Sequence, residues 1–440
     1  MPAIITNKFR VHNAEQFKES FGEGADTYYL GIGRPQAFVD NQAFNDGTDT
    51  VPPTPNDDIG SEFYNYDDML SAKKIASTDV TIAIPRRNWT TGTVYDYYRH
   101  DYGNINTAGT AITSDSGASN LFDATFYVLN STFDVYKCID NNGGAASTSE
   151  PSGNKSTSVF STADSYKWKY MYSLTADEQT NFLSTDFMHV STESTDYSTT
   201  AGAIEHVKIT AAGSGGTNGT YTNVAIRGDG SSGTATVTVS GNAVTAVTIT
   251  AAGSGYTFAS IKASEIGNVS GADIDFIISP EGGHATDVVK ELGGFYVMMN
   301  VNLTQAEGSG DFNTSNDFRR IVLMRNPTDS TTSATATAST LDATKSITFT
   351  GTPGSFQADE KITQSSSGAV GYVIDFNSTT KVLRYIQPQF ADQGIDADQN
   401  LTAFTGSNTV TGATSGATGT PTSHDVTPEL VADSGDILYV

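Results

Sequence analysis

The side chains of this sequence that could do chemistry are few and scattered. The best candidate for an acid–base cluster is His100 with Asp101, because Tyr97, Tyr98 and Tyr102 stand close by. Such a segment is more often a surface or turn element. The sequence has no His-Glu-x-x-His motif, no Gly-x-Ser-x-Gly motif and no Gly-Lys dipeptide, which argues against a zinc protease, a nucleophile elbow and a P-loop. We therefore predict no catalytic residue and a protein that is not an enzyme.

The patterns that could hold an ion or a cofactor are equally weak. Asp140-Asn141-Asn142-Gly143 begins like a calcium-binding loop, but the bidentate glutamate required at the twelfth position is missing, so a turn is favoured. Arg227-Gly228-Asp229 lies in a glycine-rich turn and carries no function by itself. The single cysteine, Cys138, excludes an intrachain disulfide and any multi-cysteine metal site, and we predict that it is a small buried hydrophobic residue. No metal, cofactor or small-molecule substrate is expected.

The most informative segment runs from Ile84 to Trp89, with the sequence Ile-Pro-Arg-Arg-Asn-Trp. An apolar strand stops at Pro85, and two arginines and a tryptophan follow in a chain where basic residues are scarce. Arginine and tryptophan are concentrated at protein interfaces. The alternative is that Arg86 and Arg87 pair with internal carboxylates while Trp89 covers a core. The residues alone leave both interpretations open.

Charge restricts the partners of this 440-residue chain. It has 24 Lys and Arg against 49 Asp and Glu, a net charge of −25. Binding to nucleic acid or to an anionic membrane surface requires clustered basic residues, so both partners are disfavoured. No apolar stretch is long enough to span a membrane, and residues 1–8 do not have the pattern of a secretory signal. The charge is compatible with a protein that stays soluble at high copy number.

The secondary-structure signals predict a mostly β protein of several sandwich or barrel domains with a few short helices. One helix is predicted to begin with Asn13 as its cap and to end at Gly22, a second to cover residues 67–74, and a third to begin at Thr175, with Glu178 three residues later. Residues 166–172 alternate aromatic and basic side chains, which predicts a half-buried strand with Lys167 and Lys169 facing outward. Many short strands with frequent turn residues favour sandwiches and barrels over alternating β-α units.

Two stretches with internal repeats predict the domain organisation. Ile-Thr-Ala-Ala-Gly-Ser-Gly occurs at residues 209–215 and again at residues 249–255, and Ser-Ser-Gly-Ala at 366–369 resembles Thr-Ser-Gly-Ala at 414–417. We interpret both stretches as small β modules inserted into a framework. The predicted segments are 1–90 (N-terminal framework), 91–202 (β domain), 203–262 (Gly-rich β-repeat module), 263–327 (framework return), 328–425 (Thr/Ser/Gly-rich β module) and 426–440 (C-terminal framework strand).

Several motifs together resemble one protein family. They are Ile-Thr-Asn-Lys-Phe-Arg at 5–10, Ile-Pro-Arg-Arg-Asn-Trp at 84–89, Val-Tyr-Lys-Cys-Ile-Asp at 135–140, Tyr-Lys-Trp-Lys-Tyr at 166–170, Phe-Arg-Arg-Ile-Val-Leu-Met-Arg-Asn-Pro at 318–327 and Ser-Gly-Asp-Ile-Leu-Tyr at 434–439. In type and order they resemble the baseplate wedge protein gene product eight of T-even-like contractile-tailed bacteriophages, in its cyanophage-like branch. The resemblance covers about residues 1–200, 263–327 and 426–440. Members of that family continue beyond the Ile-Leu-Tyr strand, whereas this sequence ends at Val440.

The resemblance implies a non-enzymatic, mostly β structural protein of the virion that is assembled in the host cytoplasm. It implies a homodimer within each of six baseplate wedges, contacts with the other wedge proteins, and a rearrangement when the tail contracts. We predict that six side chains lie at or just behind contacts between subunits or domains: Arg86, Arg87, Trp89, Trp168, Arg319 and Arg320.

Two other functions stay open at this point. Tyr-rich and Gly/Thr-rich β modules could form a carbohydrate-binding or receptor-binding tail module, because exposed aromatic rings stack on sugars. A glycoside hydrolase would need two carboxylates about 5–9.5 Å apart, and the sequence places no such pair.

Overall fold

The computed structural model describes residues 6–38, 48, 50–52, 54, 66–105, 109–190, 199–303, 316–388, 394, 400–432 and 434–440. Ile5 of the first family motif, and residues 389–393 and 395–399 of the predicted 328–425 module, lie outside this description.

The described residues are mostly β, as the sequence predicts. The helices are α1 (Asn7–Ser20), α2 (Ala176–Phe182) and α3 (Val288–Leu292). The first strands are β1 (Tyr28–Gly33), β2 (Met69–Lys74), β3 (Val80–Pro85), β4 (Tyr127–Leu129), β5 (Asp134–Asp140), β6 (Phe160–Ser161), β7 (Lys167–Ser173) and β8 (Phe187–His189). They are followed by β9 (Ile204–Ser214), β10 (Gly219–Ala225), β11 (Arg227–Gly228), β12 (Ser231–Ser240), β13 (Ala243–Ser254), β14 (Ala259–Ser260), β15 (Ser270–Ile278), β16 (Tyr296–Met299) and β17 (Arg320–Arg325). The last strands are β18 (Thr328–Asp329), β19 (Ala334–Thr335), β20 (Thr340–Asp342), β21 (Lys345–Thr350), β22 (Lys361–Gln364), β23 (Ala369–Asn377), β24 (Val382–Ile386), β25 (Val410–Gly412), β26 (Thr418–Asp425) and β27 (Asp436–Tyr439).

The chain forms two compact units, and each unit is built from two separated stretches. Unit 1 comprises Met1–Lys18 and Thr81–Met299, and unit 2 comprises Glu19–Val80 and Asn300–Val440. Both units are thus discontinuous in sequence. The boundaries of the six segments that were drawn from composition and repeats stay predictions.

An aromatic core holds unit 1 together. The four-stranded sheet β4-β5-β7-β6 buries Tyr136, Trp168 and Tyr172 on its strands, and a second sheet, β16-β3-β8, adds Ile82 and Met188. Trp168 stacks on Tyr166 with 5.6 Å between ring centroids. Cys138 is completely buried in this core, where burial raises the pKa of its thiol, so the prediction of a buried hydrophobic residue is confirmed.

The prediction that Lys169 faces outward is wrong. Strand β7 lies between β5 and β6, and Lys169 is completely buried. Its Nζ donates to the carbonyl oxygens of Ser156 and Tyr170, both at 3.1 Å. The alternation of aromatic and basic residues predicts that one face of β7 is exposed to solvent, but both faces of this strand are covered. Lys167 is the half-exposed lysine of the pair.

The first repeat of unit 1 places its two copies at the ends of two long strands. Strand β9 pairs with β15, and β13 pairs with β12 in the sheet β10-β12-β13. The backbone takes positive φ at corresponding glycines of the two copies, 70° at Gly213 and 63° at Gly253. A Cβ at either position would lie within 2.6 Å of the paired strand's backbone. The repeated glycines therefore allow the same strand irregularity twice.

In unit 2 a five-stranded antiparallel sheet has the order β20-β2-β1-β17-β27. The prediction of a helix over residues 67–74 is wrong, because Met69–Lys74 form strand β2. Acidic residues before this stretch and lysines at its end favour a helix locally. Met69, Leu70 and Ala72 are buried between β1 and β20, and this tertiary packing overrides the local preference.

A closed six-stranded barrel, β21-β24-β23-β22-β25-β26, lies within the predicted 328–425 stretch. The degenerate repeat forms two equivalent hairpin turns, one between β22 and β23 and the other between β25 and β26. In each turn a serine hydroxyl accepts a hydrogen bond from an alanine N–H, from Ala369 to Ser367 at 3.2 Å and from Ala417 to Ser415 at 3.0 Å. Strands β22 and β25 pair with each other, so the two hairpins join side by side.

The helices of unit 1 show what local signals can predict. Thr175 caps α2, and Thr175 and Glu178 form a reciprocal capping box, so this helix start is confirmed. Helix α1 begins at Asn7 instead of after Asn13, so the predicted cap is wrong. Val11 and Ala14 form its buried side.

Candidate interface segment

The segment after strand β3 changes its hydrogen-bonding partner within four residues. Pro85 is still opposite Phe187 of β8, and the Arg86 N–H donates to the Asp186 carbonyl at 2.7 Å. The chain then turns to β4. The Leu129 N–H donates to Arg87 O at 2.7 Å, and the Trp89 N–H donates to Leu129 O at 2.8 Å. Residues 86–89 are thus fixed between two sheets by their own backbone. We call them the interface segment.

Arg87 fixes the inner side of the interface segment. Its guanidinium donates to Ala124 O and, at 3.2 Å, to Phe122 O, at the end of the short 3₁₀ helix Leu121–Asp123. It also lies over the ring of Tyr127, with 4.7 Å from the guanidinium carbon to the ring centroid. A planar cation with five N–H donors suits this combination of carbonyl binding and stacking.

Arg86 lies nearer to solvent. Its Nε donates to Asn88 Oδ1 at 2.9 Å and its Nη1 donates to Ser184 O at 2.8 Å. Both arginines are half-buried, while Asn88 and Thr90 are exposed. The segment therefore presents a guanidinium and an amide whose positions are already set before any partner binds, which lowers the entropy cost of binding.

Trp89 is held by hydrogen bonds to a different part of unit 1 from the one that binds Arg87. Its indole N–H donates to Ser147 Oγ at 3.1 Å, and Ser147 Oγ donates to Asp164 Oδ2 at 2.9 Å. Burial alone would raise the pKa of Asp164, but hydrogen bonds led by that of Thr162 lower it. The ring of Trp89 is half-buried against the aromatic core. An ionised carboxylate thus orients the side chain through one hydroxyl.

Each of the two interpretations of this segment, an interface or an internal structural role, agrees with part of the structure. Trp89 does cover a core, but the described hydrogen bonds of Arg86 and Arg87 go to carbonyl and amide oxygens instead of internal carboxylates. An interface at this segment stays a prediction.

Trp168 differs from the other candidates because it is completely buried. It packs in the same core as Trp89, with Tyr95 at 5.9 Å between ring centroids. Any effect of Trp168 on an interface is therefore exerted through this core and not by direct contact.

The second arginine pair lies in unit 2, at the start of strand β17. Arg320 Nη1 lies 2.7 Å from Asp68 Oδ1, and both side chains are nearly buried. Arg319 donates to Pro35 O and lies 3.6 Å from Asp317. Arg320 is thus a buried ion-pair residue, and Arg319 is the more exposed of the two.

The other chemical candidates are parts of structural networks. Asp101 binds the guanidinium of Arg99 at 2.6 Å, and Arg99 also binds Asp275, so Asp101 is held as an ion-pair partner while His100 is exposed. Asp140, the last residue of β5, accepts the Asn142 N–H of the following turn at 3.1 Å, and it also lies 2.9 Å from His206 of β9.

The glycine-rich Arg227-Gly228-Asp229 turn is also used internally. Arg227 pairs with Glu265. Asp229 accepts hydrogen bonds from the hydroxyl and the N–H of Thr257, at 2.6 and 2.8 Å, and these bonds lower its pKa to about 2.

Three features of the described residues bear on the remaining function classes. No group of three or more His, Cys, Asp or Glu side chains could hold a metal ion there. No helix in the described ranges is long and apolar enough to cross a membrane. In the described parts of 203–262 and 328–425, Phe258 is the one exposed aromatic, while Tyr256, Tyr385 and Phe404 are buried.

The residues that fix the interface segment were not predicted from the sequence. Tyr127, Ser147 and Asp164 stand 38, 58 and 75 positions beyond Trp89, and no local pattern links them to it. The run Phe-Tyr-Val-Leu at residues 126–129 is rich in β-forming side chains and indicates a strand, but it does not show which segment Tyr127 contacts.

The fold and this segment define a class: a mostly β protein of two discontinuous units, with an arginine–tryptophan segment held rigidly at the surface of one unit. Residues 3–148, which contain that segment, match the phage family described as bacteriophage T4 Gp8. Over 204 residues the chain is 24% identical to the baseplate wedge protein gp8 of Enterobacteria phage T4. The aligned region covers 43% of this chain and 60% of the T4 protein. The predicted resemblance to gene product eight is therefore confirmed.

Proposed function

We propose that this chain is a structural subunit of a phage tail baseplate wedge. The observation that carries the proposal is the match of residues 3–148 to the Gp8 family, because this range contains the interface segment. The relative's name describes a baseplate wedge protein, and we extend that role to this chain as a component of the virion tail.

In the proposed role the chain forms a homodimer and binds neighbouring wedge proteins, and these contacts rearrange when the tail contracts. Arg86 and Trp89 support this role, because arginine and tryptophan anchors on a rigid backbone provide binding energy at little ordering cost. A permanent assembly of this kind buries on the order of 2,000 Å² or more in total. Residues 86–92 are half-buried or exposed in the single chain, so their surface is available for such a contact.

The experiment is a co-purification of the full chain with the wedge proteins of the same phage, combined with light scattering of the chain alone. We expect a mass near twice 46.4 kDa and a stable complex with at least one wedge protein. The double variant Arg86→Ala/Arg87→Ala should weaken one of these contacts. Arg227→Ala is the matched control, because Arg227 is partly exposed and pairs with Glu265 inside another module.

A monomer that binds no wedge protein would overturn the proposal. A trimer would favour the receptor-binding alternative, because many fibre tips are trimers. Unchanged assembly of a folded double variant would remove the interface role of these two arginines and leave the wedge role standing.

A further inference from the structure

A buried polar cluster in unit 1 joins strand β5 to helix α3. The cluster consists of Lys137 on β5, His284 in the loop before α3, and Glu291 on α3. Lys137 and His284 are 0% exposed, and Glu291 is 6% exposed. Lys137 Nζ contacts both Glu291 Oε1 and His284 Nδ1, and His284 Nδ1 lies 3.1 Å from the same Oε1. An amine, a carboxyl group and an imidazole therefore meet around one oxygen atom.

The surroundings of the cluster keep water out and provide one more donor. The Ala285 N–H donates to the second carboxyl oxygen, Glu291 Oε2, at 2.7 Å. The ring of Tyr98 lies 4.2 Å from Lys137 Nζ and meets the ring of His284 edge to face at 5.1 Å. Both carboxyl oxygens are thus engaged, and an aromatic wall closes the site.

Burial changes the chemistry available to this pair. An ammonium and a carboxylate each lose favourable hydration in such a site, and proton transfer from lysine to glutamate removes both charges. The products of that transfer are a free amine and an uncharged carboxyl group, which can condense. Burial, with a further contribution from the charges of Lys137 and Lys169, lowers the pKa of His284 well below its ordinary value, so its imidazole is neutral. Its Nδ1 contacts both Lys137 Nζ and Glu291 Oε1, which places one nitrogen between the amine and the carboxyl group.

We propose that Lys137 and Glu291 are a cross-linking site, whose side chains condense to an isopeptide bond with His284 as the proton shuttle. The Nζ lone pair attacks Cδ of the protonated carboxyl group, and the carbonyl electron pair moves to Oε2, where the Ala285 N–H stabilises it. His284 Nδ1 takes a proton from Nζ and delivers it to the Oε1 hydroxyl. The C=O bond re-forms and Oε1 leaves as water. The step gives one amide and one water, and it consumes no oxidant or cofactor.

The bond would connect two residues 154 positions apart and would tie α3 permanently to the aromatic core. Closing so long a loop restrains the unfolded chain, as a disulfide does, but in a form that reducing agents do not cleave. The inference is independent of the proposed wedge role, because it concerns only chemistry inside one chain.

The test is the intact mass of the purified full-length chain under denaturing conditions. We expect a mass lower than that of the sequence by one water molecule. Tryptic digestion should then give residues 100–155, uncut at Lys137, joined to residues 291–319. A chain with the full sequence mass that is cleaved at Lys137 would overturn the proposal, and the pair would then be an ordinary buried ion pair.

Variants separate the parts of the proposal. The Lys137→Arg variant should have the mass calculated from its own sequence, with no loss of water, because a guanidinium does not form this amide. Lys169→Arg is the matched control: Lys169 is buried opposite Lys137 on β7, its Nζ binds two carbonyl oxygens, and the variant should keep the loss of water. His284→Gln should leave most of the freshly made chain uncross-linked. Loss of water in Lys137→Arg would contradict the site, and wild-type cross-linking in His284→Gln would contradict the shuttle. If a variant fails to fold, the wild-type mass still decides the proposal.

Discussion

The ring of Tyr127 packs against Arg87 of the interface segment, and its hydroxyl binds the residue just before that segment. The guanidinium carbon of Arg87 lies 4.7 Å from the centroid of the Tyr127 ring, and the Tyr127 hydroxyl donates to Pro85 O at 2.8 Å. The same tyrosine therefore fixes the chain just before the segment by a hydrogen bond and, two positions later, by stacking. Burial raises the pKa of Tyr127, so its hydroxyl stays a donor at any pH at which the protein functions.

Replacing Arg87 should destabilise the fold more than replacing Arg86. Arg87→Ala removes two hydrogen bonds to Phe122 O and Ala124 O and a stacking contact, which together are worth about 2 kcal/mol of unfolding free energy. Arg86→Ala removes more exposed contacts and should cost under about 1 kcal/mol. Urea unfolding of the two variants measures the difference. Equal losses would contradict the roles assigned to the two side chains.

The capping box of α2 should be measurable by one substitution. Thr175→Ala removes the acceptor for the Glu178 N–H and should lower the unfolding free energy by about 1 kcal/mol. Thr175→Ser keeps the hydroxyl and serves as the control, and it should leave the unfolding free energy nearly unchanged because serine caps helices at least as well as threonine. Circular dichroism followed through thermal unfolding can compare them. If Ala and Ser behave alike at this position, the hydroxyl does not cap the helix.

This helix also shows what the sequence can predict. The box of Thr175 and Glu178 is complete within four residues, so it identifies the helix start without tertiary information. The resemblance to the family and the mostly β character also follow from short local patterns, namely the family motifs and the many short strand and turn signals. Residues 67–74 carried a similar charge pattern but are buried between two strands, and Lys169 alternates with aromatic residues but is covered on both faces. Those outcomes depend on partners far away in sequence, as do the contacts of Arg87 and Trp89.

The repeated glycines of unit 1 should differ in their tolerance of a side chain. Gly213→Ala would place a Cβ 2.6 Å from the Ala272 backbone at a positive φ of 70°, so both a clash and backbone strain oppose it. Gly215→Ala, at φ 73°, has nothing within 4 Å and meets strain alone, on the order of 1 kcal/mol. We expect Gly213→Ala to lose at least about twice as much unfolding free energy as this control. A larger loss at Gly215 would contradict the described strand irregularity.

Glu360 should make the barrel sensitive to acid. Burial alone would raise its pKa, but donors including the N–H groups of Ser415, Gln357 and Thr414 lower it. A carboxylate with a lowered folded-state pKa stabilises the fold above its unfolded pKa, about 4.3, and this stabilisation is lost as the pH falls through the folded value.

Glu360→Gln should therefore lower the melting temperature at neutral pH, and the gap to wild type should narrow below about pH 4.3. Calorimetry across this range measures the gap. Asp375→Asn, at an exposed position on β23, is the control and should follow the wild type. A gap that widens in acid would contradict a lowered folded-state pKa for Glu360.

The net charge of the chain should make homodimerisation and binding to a neighbouring wedge protein respond to salt in opposite directions. Two copies of a chain with a net charge of −25 repel each other. Raising the ionic strength from about 0.01 M to about 0.15 M shortens the screening length from about 30 Å to about 8 Å. Homodimerisation should strengthen over this range. Binding to a neighbour with a basic patch should weaken, because its attraction is screened. Sedimentation of the chain alone and with its partner distinguishes the two trends, and parallel trends would contradict an electrostatic origin.

The central claim, that this chain is a baseplate wedge subunit, is tested most directly by a cryo-electron microscopy map of the intact tail baseplate of the phage that encodes it. We expect density for two copies of the chain in each of six wedges, with residues 86–89 at or just behind a contact with another subunit. A baseplate that lacks the chain, or that carries it as a trimer at a fibre tip, would contradict the wedge role.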